Sequence, residues 1–155
     1  MEEETNWLTA SEQRAWRAFV GVHQKLPRAL AHKLQVAGNL SSADYLVLMA
    51  LTDAPHGRRH FQELAQAVDW ERSRMSHHLS RMNKRGLVTR EDCPKDARGV
   101  HVMVTPAGRA AVEEAAPGHV ATVRRLVIDP LSPEELDMLT RLCEGILGRL
   151  EAGPP

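Results

Sequence analysis

The chain has 155 residues, 43% of them hydrophobic, which is enough for one domain with a core of its own and too apolar for a disordered chain. No apolar run reaches the length of a membrane span. The acidic start Met1–Glu4 lacks the basic flank and apolar stretch of a secretory leader, so a cytoplasmic protein is expected. The net charge of zero conceals an uneven distribution: residues 56–109 carry eleven Lys/Arg against six Asp/Glu and hold five of the eight histidines, whereas residues 110–155 carry four against eight. It is the local field that attracts phosphate, so a balanced total does not exclude nucleic acid.

Thr9-Ala-Ser-Glu12 has the form of a capping box, in which hydroxyl and carboxylate satisfy the free amides of a helix start. Trp16, Phe19, Val20, His23, Leu26, Leu30 and Leu34 follow at three- and four-residue spacing and predict a long amphipathic helix. Pro27 should kink or break it, and Gly38-Asn39 ends it. Ser41 or Ser42 caps a second helix to about Leu51, after which Asp53–Gly57 reads as a loop. A third, short helix is expected over Phe61–Val68, a turn at Asp69-Trp70, and a fourth helix over Glu71–Arg85 closed by Gly86 in a left-handed conformation.

Residues 87–90 and 100–104 are short β-like runs around a polar tip, a hairpin in outline. Thr105-Pro106 opens a helix to about Val127, with Pro117-Gly118 expected to bend or break it. Ser132-Pro-Glu-Glu135 is a further capping box. The helix it starts carries Leu136, Leu139, Cys143, Ile146 and Leu150 at spacings of 3, 4, 3 and 4, a seam suited to packing against another helix.

The order short helix, turn, basic helix, strand, basic tip, strand can set one helix into the major groove of double-stranded DNA while the hairpin reaches an adjacent groove. The fourth helix divides into two faces. Met75, His78, Leu79 and Met82 form an inward stripe. Ser73, Ser76, His77, Ser80 and Lys84 form the opposite stripe, with Arg72, Arg74 and Arg81 at its margins. Small hydroxyls allow close approach to base edges, and Arg and His supply donors to guanine. Arg81, Lys84 and Arg85 are placed to meet phosphates. At the hairpin tip, Lys95 and Arg98 offer cations to a minor groove. Asp96 either preorganises Arg98 or forms an Asx-type turn without a part in binding.

The segment resembles the MarR (multiple antibiotic resistance regulator) family of bacterial winged helix-turn-helix regulators. The residues that carry the resemblance are Leu64-Ala65, Met75-Ser-His-His-Leu79, Arg85-Gly-Leu-Val-Thr-Arg90, Asp96-Ala-Arg98, Val104-Thr-Pro-Ala-Gly108 and Leu131-Ser-Pro-Glu-Glu-Leu136. The resemblance implies a mainly α fold with a small β-hairpin wing. Within one domain of residues 1–155, a winged helix-turn-helix region over residues 41–105 would join a helical dimerisation region over 1–36 and 106–152. It implies a homodimer on a pseudopalindromic operator, with Arg72, Ser73, Arg74, Ser76, His77 and Arg81 at the major groove and Arg98 in the wing. It also implies repression relieved by a small aromatic or anionic effector. His77-His78 departs from the family's usual Arg followed by an aliphatic residue.

For an effector cleft, Trp16, Phe19, His23, Tyr45 and Met49 are candidates, each equally readable as core. No cofactor and no metal site is expected: His56 and His60 lack a neighbouring Cys or acid cluster, and His77 and His78 point to different helix faces. Cys93 is either an inert thiol or a redox switch, and Cys143 belongs to the helical seam. No catalytic constellation is present, and an enzyme is not expected. Two alternatives are a redox- or metal-responsive repressor on the same scaffold and a winged-helix module that binds protein.

Overall fold

A computed structural model describes residues 6–92 and 99–153. The order is α1 (Ala10–Gly38), α2 (Ser42–Thr52), a 3₁₀ turn (Pro55–Gly57), β1 (Arg58–His60), α3 (Phe61–Ala67), α4 (Arg72–Lys84), β2 (Val88–Asp92), β3 (Val100–Val104), α5 (Pro106–Val123), a π-helical turn (Arg124–Ile128) and α6 (Pro133–Glu151). The helix starts obey their local chemistry. Thr9, Ser41 and Ser132 each close a capping box with the acid three residues on, and Thr105 accepts from the Gly108 amide.

Neither internal proline breaks its helix. α1 runs 29 residues through Pro27, and α5 runs 18 residues through Pro117. A proline removes the amide that would bond the carbonyl four residues earlier. Those carbonyls belong to His23 and Glu113, and all four residues are exposed, so water can satisfy the freed groups. The irregularity expected at Pro117-Gly118 falls later, where α5 widens into the π-helical turn.

α1 ends on Asn39 in the left-handed region (φ 49°), with the Leu40 amide donating to the Leu34 carbonyl. Gly38 lies where α1 crosses α5: a Cβ there would stand 2.7 Å from the Ala111 carbonyl oxygen. Gly86 takes the predicted left-handed conformation (φ 73°) after α4. The Leu87 amide reaches back to the Met82 carbonyl and the Gly86 amide to that of Asn83, closing a Schellman motif over two buried side chains.

The core joins Leu34 and Leu40 to apolar faces of α2, α3, α4 and α5 and to Leu87, Val88 and Val102. The Met75, Leu79 and Met82 stripe of α4 is fully buried, as its spacing predicts. The sheet has three antiparallel strands in the order β1-β3-β2, one more than the expected hairpin. Arg58-Arg59-His60 has no apolar alternation to announce a strand. It becomes one by pairing with Met103, Val102 and His101, and the Arg59 Nε donates to the Ala50 carbonyl at 2.7 Å.

α6 is amphipathic but buries none of its side chains fully within its own chain, and the first half of α1 is similarly uncovered. Trp16, Phe19, Val22, Leu142, Leu147 and Leu150 are large apolar residues left exposed there. In the terminal seam, Leu136 and Ile146 are half-buried, whereas Leu139, Cys143 and Leu150 are exposed.

Candidate nucleic-acid interface

α3, the turn at Asp69 (φ 52°) and α4 form the helix-turn-helix, with β2 and β3 beside it. The buried stripe of α4 fixes its rotation, so the opposite face must look outward. Ser73, Ser76, His77, Ser80, Lys84, Arg72, Arg74 and Arg81 are all exposed, and the first four of these line one shallow depression along the helix. Thus the residues predicted from sequence for the major groove share one accessible surface.

Two of the arginines are not free-swinging. The Arg74 guanidinium carbon lies 4.2 Å from the Trp70 ring centroid, a cation–π contact, and Arg81 Nη2 donates to His78 Nδ1 at 2.9 Å. Both therefore lean toward the α1–α2 side of the reading face. Arg85 is a correction to the sequence reading, which placed it at phosphate. Its guanidinium donates to Asp44 Oδ2 at 2.7 Å and to the Asn39 carbonyl, pinning the end of α4 to the end of α1 and the start of α2.

His78 fits the inner stripe because it has polar company there. It is 7% exposed, its ring meets Trp70 edge-on at 5.2 Å, and its Nε2 lies 3.0 Å from Asp44 Oδ1, a close polar contact whose angle falls outside a directed hydrogen bond. Burial, then the Arg81 and Arg74 charges, hold the His78 pKa below its usual value, with Asp44 opposing them. Burial also pushes Asp44 upward, but the bonds from Arg85 and from the Ser41 amide and hydroxyl outweigh it and leave that carboxyl below its usual range. Together these side chains line an open cleft of about 680 Å³ beside the reading face.

Two contributors to this site were not singled out as site residues from sequence. Asp44 belongs to none of the motifs read from the sequence. Arg90 appears only as part of the family-like motif. In the structure the Arg90 guanidinium donates to the Ser76 carbonyl at 2.9 Å and to Ser80 Oγ at 3.3 Å, fastening β2 to the flank of α4. Ser80 Oγ in turn donates to the Ser76 carbonyl at 3.0 Å. Lys95, Asp96 and Arg98, and Cys93 before them, lie outside the described residues.

The five residues nominated for an effector cleft do not converge. Trp16, Phe19 and His23 line an apolar groove of about 690 Å³ with Cys143, Ile146, Leu147 and Leu150 of α6. Tyr45 instead packs its ring 4.7 Å from that of His119 on α5, and Met49 is half-buried against the main core. Helical spacing put Trp16, Phe19 and His23 on one face of α1, but α1 is long enough that its first half extends past the core that its second half joins. Among the described residues, no three His, Cys, Asp or Glu side chains group as metal ligands, and no helix is long and apolar enough to cross a membrane.

A profile described as the MarR family matches residues 39–99, the stretch from the end of α1 to the residue before β3. AbsC, a MarR family transcriptional regulator from Streptomyces coelicolor, is 38% identical, with 96% of this chain and 99% of that one covered and a TM-score of 0.92. Sco3205, a MarR family regulator from the same organism solved in complex with DNA, is 36% identical over 99% of this chain and 94% of that one, with a TM-score of 0.91. The HTH-type transcriptional repressor YetL of Bacillus subtilis (strain 168) is 27% identical over 143 residues, 92% of this chain and 84% of that protein. The fold, the winged helix-turn-helix geometry and these likenesses converge on one conclusion: the chain belongs to the MarR family of transcriptional regulators.

Proposed function

We propose that this protein is a homodimeric repressor that binds a pseudopalindromic operator in double-stranded DNA. In this reading α4 enters the major groove with Ser73, Ser76, His77 and Ser80 toward base edges, while Arg72, Arg74, Arg81 and Lys84 meet phosphates or flanking bases. Lys95 and Arg98 of the wing supply cations to the minor groove. The observation that carries the reading is the exposed serine–histidine face of α4, flanked by arginines and held rigidly from behind by a buried stripe. The DNA complex of Sco3205 supports it by likeness.

The dimer half of the proposal rests on α6 and the first half of α1. An amphipathic helix with no fully buried residue gains its stability from a partner surface. A second copy packed on Trp16, Phe19, Leu139, Cys143, Ile146 and Leu150 would cover the groove these residues form. Release by a small aromatic or anionic effector completes the reading and is what the family resemblance implies.

Selection of bound duplexes from a random pool tests both halves at once. A two-fold symmetric motif with half-sites about one helical turn apart is expected. A single asymmetric site would remove the dimeric arrangement, and no enrichment would remove DNA reading altogether. Added phenolic acids should then dissociate the selected complex; indifference to all of them would count against that class of effector.

A further inference from the structure

The buried polar group behind α4 does more than fill space. A guanidinium can only donate, so the 2.9 Å contact from Arg81 requires His78 Nδ1 to be the unprotonated ring nitrogen. The ring proton then sits on Nε2, facing Asp44 Oδ1 at 3.0 Å. Asp44 is itself held by the Ser41 amide at 2.9 Å and by Arg85, so the tautomer is set from behind by a fixed carboxylate. Trp70 against the ring leaves it little freedom to turn. Arg81 is the outermost member of this chain of contacts. It is exposed and lies one helical turn after His77, at the margin of the reading face.

We propose that His78, oriented by Asp44, is a positioning residue for Arg81: the neutral imidazole holds the guanidinium ready for a backbone phosphate, and a proton on Nδ1 releases it. The proposal rests on the DNA-binding reading above and assigns that reading a pH dependence. The groups facing His78 make the release one-sided. α2 presents Asp44. α4 presents Arg74 and Arg81, with His77 and Arg85 in the same cleft. The end of α1 contributes only the neutral Gln35 and Asn39, and the α3–α4 turn only Trp70. Once Nδ1 carries a proton it no longer accepts, and two like charges would stand 2.9 Å apart with no acceptor between them. Arg81 is the mobile, exposed partner and must be the one to leave. Burial disfavours the charged ring, so the neutral, holding state is the resident one near neutrality and the release belongs to acid.

The test measures the salt dependence of affinity for a selected duplex, from about pH 7.5 down through the titration of His78 followed by its imidazole NMR signals. A parallel series uses His77→Gln with a duplex selected for that variant itself, because His77 belongs to the reading face, and circular dichroism checks that the fold persists. The log–log slope should become shallower by about 0.9, the loss of one phosphate contact, as His78 takes up its proton. Arg81→Ala should show the shallower slope already near neutrality and no further change in acid. His78→Asn, whose amide oxygen can stand near the place of Nδ1 and does not titrate, should keep the steeper slope at every pH. A constant wild-type slope through the His78 titration, or a change that survives Arg81→Ala, would overturn the proposal. If His78→Asn does not fold, the Arg81→Ala arm decides alone. A protein that binds no duplex at any pH overturns the DNA-binding reading and the positioning role with it, an outcome distinct from normal binding with an unchanging slope.

Discussion

Replacing Asp44 with Ala should be among the more damaging single changes in this protein, and the structure allows the cost to be worked out. The carboxylate is 3% exposed and serves three neighbours. It accepts from the Ser41 amide at 2.9 Å as half of a capping box, which contributes about 1 kcal/mol. It pairs with Arg85 at 2.7 Å. The arginine side chain is 40% exposed, so this pair falls between surface and buried limits, at about 1–2 kcal/mol. Its loss also removes the 3.0 Å electrostatic contact to the buried Nε2–H of His78, short of a directed hydrogen bond and so worth about 0.5–1 kcal/mol. The three share one atom group and are not strictly additive, so about 2–3 kcal/mol is expected near neutral pH.

Urea unfolding followed by circular dichroism, at one fixed protomer concentration for both proteins, measures this cost. The pH dependence gives a second check. The folded pKa of Asp44 lies below its ordinary value of 3.8, so its contribution is complete above that value and is lost as pH falls through the lower, folded one. The gap between wild type and variant should therefore narrow only at strongly acid pH. The depressed pKa of His78 acts in a separate window: its contribution is complete above about 6.5 and declines as pH falls from there through the folded value. A loss under about 1 kcal/mol near neutrality would refute the claim that Asp44 anchors α4, since the cap alone would account for it.

Four further outcomes are expected. His77→Ala should change the base preference recovered by duplex selection and not merely lower affinity; an unaltered preference would remove His77 from the base-reading face. Arg98→Ala should weaken binding most where the flanks are A/T-rich, and equal weakening across flanks in a binding titration would exclude minor-groove insertion. Ile146→Glu should dissociate or unfold the dimer in sedimentation experiments, because it places a charge in the α6 seam; a stable dimer would mean that another surface mediates pairing. Gly108→Ala should destabilise by about 1–3 kcal/mol or more, since its Cβ would stand 2.1 Å from the Leu87 carbonyl oxygen where α5 leaves the wing; an unchanged urea midpoint would show that the junction can relax.

Much of this molecule is written in short-range chemistry. Capping boxes at Thr9 and Ser132, the glycine after α4 and the apolar stripe of Met75, Leu79 and Met82 each act within one or two helical turns, so residue type and spacing suffice to find them. The reading face follows from the same stripe, because a helix with one face buried has its opposite face determined. What spacing does not contain is distance between separate elements. β1 exists because β3 pairs with it, and nothing in Arg58-Arg59-His60 predicts that. Arg85 looked free for phosphate until the fold brought Asp44, 41 residues earlier, to within 2.7 Å. Trp16, Phe19 and His23 separated from Tyr45 and Met49 because a long helix can join the core with one half and leave the other for a neighbour. Sequence determined which side chains α4 presents, since that depends on helical periodicity alone. Tertiary structure decided what holds them in place, since ion pairs and strand pairing depend on how remote parts of the chain meet.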